Sequence, residues 1–393
     1  MIILEIRDVT EKDYVESMKL SMYAFQYEIP EESKAARVEL LKSQRLIGAW
    51  KDNNLAAKLH IIPHQVYVNG QEWKMGGLAG VAAYPEYRRT GFVKKLIFHG
   101  LEIMRSEEQI VSFLHPFDIG FYRKFGWEVF TENKKLLIEK KDLKFLETQP
   151  GTVKRFAKEN HHPDIEKVYS RFSHKYTGML VRELNWWKNS IYGDGQIAVY
   201  YSETNEALGY LLYEVKDRKM DVQEFVTLTQ EARFGLWNFI CQHDSMVENV
   251  TILTSNHELL QYTLQQPKVK MEVTPYFMAR IVDAEKCLKK FQLNNLPTKI
   301  FLHIEDEFAP WNIGSYLIGN GETKVYKDKP GSTCIQPPLR GIRLDINSLT
   351  AILFGYKRPV ELYELGYIKG HESEIAVLEK LIPHSKPFFY DFF

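Results

Sequence analysis

The residues with the clearest chemical meaning form a glycine-containing turn preceded by two arginines, in the run Tyr-Pro-Glu-Tyr-Arg-Arg-Thr-Gly-Phe-Val at residues 84–93. The apolar residues 78–83 predict a strand that ends just before this turn. A turn between a strand and a helix leaves backbone N–H groups unpaired at the helix N-terminus, where the helix dipole attracts an anion. Arg88 and Arg89 add fixed positive charge, so the segment predicts a site for a phosphate or pyrophosphate. Alone, the pattern also fits an ordinary turn with surface arginines.

The helix that must follow this turn is predicted by the spacing of its apolar residues. They recur at the intervals of one helical face: Val93, Leu96, Ile97, Gly100, Leu101 and Met104. This periodicity is typical of an amphipathic helix packed on a core. Lys94 and Lys95 extend the basic patch of the turn, and a patch this small suits a small anionic ligand.

Composition excludes several classes of partner. The 393 residues contain 51 Lys plus Arg and 51 Asp plus Glu, a formal net charge of zero, which provides no electrostatic footprint for nucleic acid or an anionic membrane. A hydrophobic share of 45% favours packed globular domains. No apolar run is long enough to span a membrane, and the first residues alternate like a strand and have no secretory h-region. We therefore expect a cytoplasmic protein.

The cysteines give no sign of a metal centre. Cys241, Cys287 and Cys334 lie far apart in the sequence and match neither a zinc-ligand spacing nor a disulfide framework. We expect no bound metal.

The order of predicted elements indicates three domains, at residues 1–147, 148–283 and 284–393. In the first, Asn69 and Gly70 between apolar runs predict a β-hairpin. The second repeats the order of hairpin, strand and helix, but residues 227–231 at its strand-to-helix junction contain neither a glycine nor an arginine pair. We interpret this as a second copy without a working cofactor site.

The chain ends in an aromatic run. Residues 388–393 are Phe-Phe-Tyr-Asp-Phe-Phe, which is an unusual composition for a terminus frayed in water. We expect this tail to be buried, and its carboxylate to be carried wherever the tail goes.

These residues resemble a known family. The stretch from Arg88 to Val93 resembles the acetyl-CoA pyrophosphate motif Arg/Gln-x-x-Gly-x-Gly/Ala of GNAT-type N-acetyltransferases, with Val93 in the position of the last Gly/Ala. Residues 121–127, Phe-Tyr-Arg-Lys-Phe-Gly-Trp, resemble the second signature of that family, Tyr-x-x-Phe-Gly followed by an aromatic. The three-domain arrangement and aromatic ending resemble the Eis-type subfamily. The resemblance implies an α+β fold class: two tandem GNAT (acyl-CoA N-acyltransferase) folds, the second degenerate, followed by a sterol-carrier-like domain.

The resemblance also implies roles for individual residues. Tyr122 falls on the general acid, and the α-carboxylate of Phe393 falls on the general base. The implied cofactor-binding residues are Val81, Ala82, Ala83, Arg88, Arg89, Thr90, Gly91, Phe92, Val93, Lys94, Phe117 and Asp118. The implied activity is transfer of acetyl from acetyl-CoA, a co-substrate, to a primary amine of an aminoglycoside, a polyamine or a lysine. Family members commonly form hexamers, so a homo-oligomer is implied.

Several alternatives stay open at the level of sequence. The Phe393 carboxylate could accept a proton or could only orient a cationic amine, and Tyr122 could be a packing residue. The acyl donor could differ from acetyl-CoA, or the chain could be a non-catalytic lipid-binding or scaffold protein. Glu28 and Asp391 could attract a polycationic acceptor or could be solvated charges. The Trp186-Trp187 pair favours helix packing over a ligand platform.

Overall fold

The computed structural model describes residues 4–327 and 340–393, so Cys334 lies outside the described residues. The described chain forms three β-sheets with helices packed on them. This arrangement confirms the α+β class that the family resemblance implied.

The helices and strands follow one another in three stretches of the chain. The first third of the chain contains β1 (Leu4–Asp8), α1 (Tyr14–Phe25), α2 (Lys34–Lys42), β2 (Arg45–Lys51), β3 (Asn54–Val68), β4 (Gln71–Ala83), α3 (Phe92–Ser106), β5 (Val111–Leu114), α4 (Ile119–Arg123) and β6 (Glu128–Val129). The middle contains β7 (Glu132–Glu139), β8 (Thr152–Phe156), α5 (Pro163–Ser173), α6 (Leu184–Trp186), β9 (Gln196–Tyr201), β10 (Ala207–Lys216), β11 (Lys219–Thr227), α7 (Gln230–Cys241), β12 (Asn249–Thr254), α8 (Leu260–Thr263), β13 (Lys270–Pro275) and β14 (Met278–Ile281). The last part contains α9 (Ala284–Lys290), β15 (Ile300–Glu305), β16 (Gly314–Gly319), β17 (Glu322–Tyr326), β18 (Ile342–Asp345), α10 (Ile346–Leu353), α11 (Pro359–Glu364) and α12 (Glu372–Leu381).

The first two sheets have seven strands each and the third has four. The strand orders are β1-β2-β3-β4-β5-β14-β6, β13-β7-β12-β11-β10-β9-β8 and β17-β16-β15-β18. In the first two sheets an antiparallel meander leads to one parallel neighbour, β5 beside β4 and β12 beside β11. The helix between each parallel pair, α3 or α7, is the crossover that such a connection requires.

The two large sheets exchange a strand. β14 lies between β5 and β6 in the first sheet, antiparallel to both. β7 lies within residues 1–147, the predicted first domain, but it pairs with β12 and β13 of the second sheet. In the first sheet, β14 occupies the position beside β5 that a closing strand would take. The domain boundaries at residues 147 and 283 stay a prediction.

Local sequence signals explain the elements that frame the first sheet. The β3–β4 hairpin turns at Asn69 and Gly70, with φ of +49° and +73°, which is the two-residue turn that an Asn-Gly pair favours. The predicted apolar face of α3 is buried, with Leu96 and Leu101 both fully inaccessible. That face fixes the helix on the sheet and leaves its N-terminus at the end of β4.

Within the described ranges, no helix has the length and hydropathy needed to cross a lipid bilayer. The same residues contain no group of three or more His, Cys, Asp or Glu side chains arranged to hold a metal ion.

Candidate active site

Strand β4 separates from β5 halfway along its length. The two strands pair only over residues 75–77 of β4. β4 then continues to Ala83, whereas β5 ends at Leu114. In the part of the chain that the structure describes, no strand pairs with residues 78–83 on the β5 side. The backbone groups on this edge are therefore open to an extended ligand.

A β-bulge interrupts β4 within this open segment. Gly80 and Val81 both lie opposite the single β3 residue Leu59. Gly80 has a φ of +57°, in the left-handed region that favours glycine. A bulge of this kind changes the direction of the neighbouring peptide groups. Of the predicted cofactor residues, Val81 lies in the bulge, and Ala82 and Ala83 follow it on the open edge.

The N-terminus of α3 lacks a side-chain cap. Its N-cap residue is Gly91, with a φ of +86°, and the first turn contains no acidic residue. The first intrahelical bond runs from the Lys95 N–H to the Gly91 carbonyl, at 3.1 Å. The N–H groups of Phe92, Val93 and Lys94 therefore have no partner within the helix. Val93 packs partly buried against the core, so the valine at this motif position is accommodated.

The basic residues of the turn surround this helix end. Arg88, Arg89, Thr90 and Lys94 are exposed. The Arg88 Nε donates to the Ala83 carbonyl at 3.4 Å, which ties the side chain to the end of β4. The Thr90 hydroxyl donates to a carbonyl within the turn. Positive charge, open N–H groups and a helix dipole therefore converge on one exposed point.

Tyr122 lies in the short helix that follows β5. It is 4% exposed, and its ring packs against Phe117 and Trp127 with centroid distances of 5.4 and 6.4 Å. Burial raises the pKa of the Tyr122 hydroxyl well above its usual value of 10.0. The hydroxyl is therefore protonated at neutral pH and available as a proton donor.

Phe117 and Asp118 lie on the loop between β5 and α4. Phe117 is 72% exposed, so its ring can contact a ligand. The Asp118 carboxylate accepts a hydrogen bond from the Phe121 N–H at 2.5 Å and caps α4. Asp118 therefore stabilises the N-terminus of the helix that carries Tyr122.

The ring of Phe393 lies at the point where β4 and β5 separate. A Cβ added to Gly77, the last β4 residue paired with β5, would lie 2.7 Å from Phe393 Cε2. The Phe393 ring also lies 5.2 Å from the rings of both His64 and Phe277. The end of the chain thus packs against the first sheet.

The tail is buried only in part. Phe388 and Phe389 are fully inaccessible, but Phe392 is 62% exposed. The expectation of a wholly buried tail was wrong at Phe392. Its ring lies outside the core at the end of β5, 5.1 Å from the His115 ring.

Asp391 fixes the tail through a buried ion-pair network. Its carboxylate accepts from Arg182 Nε at 2.9 Å and from Trp186 Nε1 at 2.7 Å. Arg182 also pairs with Glu224 of β11. Asp391 is 2% exposed, so the alternatives weighed for it, a free charge for a polycation or a solvated one, were both wrong. The hydrogen bond from Trp186 to Asp391 holds the tail in place. The helix packing expected for Trp186 did not include this contact.

Sequence reasoning missed the roles of four residues near the tail. Each of them contacts or adjoins Phe393 or Asp391: His64, Gly77, Arg182 and Trp186. The Gly76-Gly77 pair inside a strand was a usable signal, because glycine in a strand interior often marks a close approach by another group. Arg182 carried no such signal, since its partners lie 42 and 209 positions away in the sequence.

Comparisons with known proteins agree with this geometry. A family model described as an acetyltransferase (GNAT) domain matches residues 5–130, and a second with the same description matches residues 178–281. A sterol carrier protein domain model matches residues 284–390. The chain therefore belongs to the GNAT acetyltransferases, and it is an acyl-transferring enzyme by class. A search of curated protein sequences gave no match.

Solved structures identify the particular arrangement. A probable N-acyltransferase from Enterococcus faecalis is 27% identical, with a TM-score of 0.91 and full coverage of both chains. A GCN5-related N-acetyltransferase from Anabaena variabilis is 21% identical, with a TM-score of 0.85 and full coverage of both chains. Eis1 from Mycobacterium abscessus is 17% identical and covers 99% of this chain and 100% of its own, with a TM-score of 0.82. The fold is Eis-like, with two GNAT domains followed by a sterol carrier protein domain.

Proposed function

We propose that this protein transfers the acetyl group of acetyl-CoA to a primary amine, by direct attack of the amine within a ternary complex. One observation carries the proposal: the end of the chain reaches the point where β4 and β5 separate, in the one GNAT domain whose helix start is open and basic. The ring of Phe393 therefore lies beside the proposed donor site, which supports a role for the terminal carboxylate that this residue carries.

The donor is held by backbone and charge. The unpaired N–H groups at the start of α3 and the guanidinium groups of Arg88 and Arg89 bind the pyrophosphate. The open edge of β4 at residues 81–83 pairs with the pantetheine amides. Acetyl-CoA supplies a thioester, whose carbonyl oxygen gains negative charge when the amine attacks. A backbone N–H at the bulge stabilises that charge, because it is fixed before the reaction begins.

Two groups handle the protons. Tyr122 donates its hydroxyl proton to the departing thiolate, a role that requires the protonated form of the hydroxyl. The Phe393 carboxylate attracts the ammonium form of the acceptor and receives its proton, directly or through water. His64, whose Nε2 is buried without a partner among the described residues, lies beside the Phe393 ring and supports its orientation.

The acceptor site lies among aromatic side chains. Phe117 and Phe392 are both exposed aromatics, and a cationic amine is attracted to ring faces as well as to the terminal carboxylate. We propose an aminoglycoside, a polyamine or a lysine side chain as the acceptor. We also propose a cytoplasmic homo-oligomer, a hexamer by resemblance, which light scattering after gel filtration tests.

The decisive experiment is an amine screen with release of free CoA as the readout. Tyr122→Phe should lower kcat by about a thousandfold and leave the Kd for CoA unchanged, because the hydroxyl acts on the departing thiolate. Extending the chain beyond Phe393 by a short glycine-serine segment should have a similar effect. Full activity of the extended protein would exclude the carboxylate from the mechanism.

Two alternatives have distinct outcomes in the same screen. Mass spectrometry of the product separates acetyl-CoA from a longer acyl donor. Binding of CoA without turnover on any amine would contradict an amine acceptor and would favour a lipid-related role for the sterol carrier protein domain.

A further inference from the structure

A buried lysine lies behind the bulge of β4. Lys58, in the middle of β3, is 1% exposed. Its Nζ donates to the Ser17 hydroxyl at 2.9 Å and to the Ser21 hydroxyl at 2.6 Å, both on α1. Among the residues that the structure describes, no carboxylate lies within ion-pair distance of this amine. A buried ammonium without a counter-ion is costly, so its presence calls for an explanation.

His60 connects this lysine to the bulge. The Lys58 Nζ lies 3.0 Å from His60 Nε2, and His60 Nδ1 lies 2.9 Å from the Gln44 side-chain oxygen. The Gln44 oxygen can only accept, so Nδ1 carries the proton and Nε2 accepts from the lysine. On the other side, a Cβ added to Gly80 would lie 3.0–3.1 Å from the His60 ring. Amine, imidazole and bulge peptide therefore form one continuous stack.

The surroundings of Lys58 allow both protonation states. Two hydroxyls and one imidazole nitrogen match the three N–H donors of an ammonium group. Burial and the nearby Arg37 of α2 lower the pKa of Lys58 to about 7. The other titratable group facing the amine is His60, whose pKa burial and Lys58 hold well below its usual value, so it is neutral. α1 contributes only the two serine hydroxyls.

We propose that Lys58 is a positioning residue whose positive charge, acting through His60, strengthens the bulge peptide as a stabiliser of negative charge on the thioester oxygen. This inference rests on the proposed acetyl transfer. A fixed charge in a dry site acts strongly on charge that develops in the transition state. The charge of Lys58 should therefore change kcat and leave the affinity for acetyl-CoA unaltered.

The expected pH dependence follows from the sign of this charge. Lys58 is cationic below its pKa and neutral above it, so its contribution to kcat is present at low pH and is lost as the pH rises. Deprotonation of the acceptor amine has the opposite effect on the rate. Both proteins receive the same amine, so its deprotonation changes both rates equally. This effect therefore cancels in the ratio of wild-type to variant kcat.

Lys58→Met tests the charge while keeping the length of the side chain. We expect the ratio of wild-type to K58M kcat to be about ten near pH 6 and to fall towards one near pH 8.5, with KM for acetyl-CoA unchanged. Lys74→Met, at an exposed lysine of β4, is the matched control and should give a ratio near one at each pH. A K58M ratio that does not vary with pH would overturn the inference, since a purely structural role has no such profile.

Ser21→Ala gives a second test that retains the lysine. Loss of one acceptor disfavours the ammonium form, so the pH midpoint of the kcat contribution should move to lower pH. A midpoint equal to that of the wild type would overturn the inference even if K58M does not fold. Failure of the wild type to acetylate any amine would overturn the proposed function itself, whereas a flat ratio in an active enzyme refutes the Lys58 role alone.

Discussion

The two GNAT domains treat the same strand-to-helix junction in opposite ways. α3 begins at Gly91 with open N–H groups and basic neighbours. α7 begins after Thr229, whose hydroxyl accepts from the Ala232 N–H at 3.2 Å, and its first turn contains Glu231. A cap uses the donors that an anion needs, and a carboxylate repels the anion. The fold supplies a helix dipole in both domains, and a few side chains decide whether it can bind a phosphate.

The two domains also differ at the strand edge beside this junction, which is open in the first domain and occupied in the second. β11 separates from β12 after Val222, as β4 does from β5. In the second domain, however, the Tyr390 hydroxyl lies 3.2 Å from both the N and the O of Phe225, accepting from the first and donating to the second. The tail therefore occupies in the second domain an edge that stays open in the first. The second domain has become the anchor of the tail.

Reversing one charge at the start of α3 should have the largest effect on the difference in CoA binding between the two domains. Lys94→Glu places a carboxylate in the first turn, as Glu231 does in α7, and should weaken CoA binding about fiftyfold. Isothermal titration with CoA measures the change.

Glu231→Lys is the matched control in the second domain. It should create no second CoA site, because Thr229 still caps α7 and Tyr390 still fills the strand edge. Two CoA molecules bound per chain would contradict the contrast between the domains.

The next largest effect is expected at the point where β4 and β5 separate. Gly77→Ala places a Cβ 2.7 Å from the Phe393 ring, so the end of the tail must shift and kcat should fall about tenfold with CoA affinity retained. Gly76→Ala is the control, because its Cβ meets Gln109 and Met104 instead of the tail. Equal losses of kcat in the two variants would show that activity does not depend on the position of the tail.

A smaller effect is expected where the tail anchors on the second domain. Tyr390→Phe removes the hydroxyl that bonds both backbone groups of Phe225, which should lower the free energy of unfolding by about 1–2 kcal/mol. Urea denaturation measures this change. A kcat loss of about threefold should accompany it, since the anchor lies three residues from Phe393. Unchanged stability would mean that water replaces the hydroxyl without cost.

The smallest expected effect concerns pH and His64, which supports the Phe393 ring in the first domain. Burial lowers the pKa of His64 to about 4. As the pH falls through about 6.5, His64 therefore binds a proton in the unfolded chain but stays neutral in the folded chain. Stability is full above that pH and is lost as the pH falls, by about 1 kcal/mol between pH 7 and 5.5. His64→Phe should remove this term from the unfolding free energy, and His384→Phe, at an exposed position, should not.

The sequence predicted the parts of this molecule that depend on local signals. The glycine turn, the apolar face of α3 and the Asn69-Gly70 hairpin each follow from neighbouring residues, and each was confirmed. The placement of β7 and the partners of Asp391 depend on contacts between residues that are far apart in the chain. No local periodicity records such contacts, so the strand exchange and the Arg182 network could not be predicted. The roles of Tyr122 and Phe393 stay predictions.

The exchange of β7 and β14 also governs how this chain can fold. β14 lies between β5 and β6, so the first sheet lacks an interior strand until residue 281 has been synthesised. The domains therefore cannot mature one after another during translation, as domains in multidomain chains generally do. A fragment that ends at residue 147 would present two unpaired strand edges and would be prone to aggregate. The proposed cofactor site, although built from the first third of the sequence, becomes stable only when most of the chain is present.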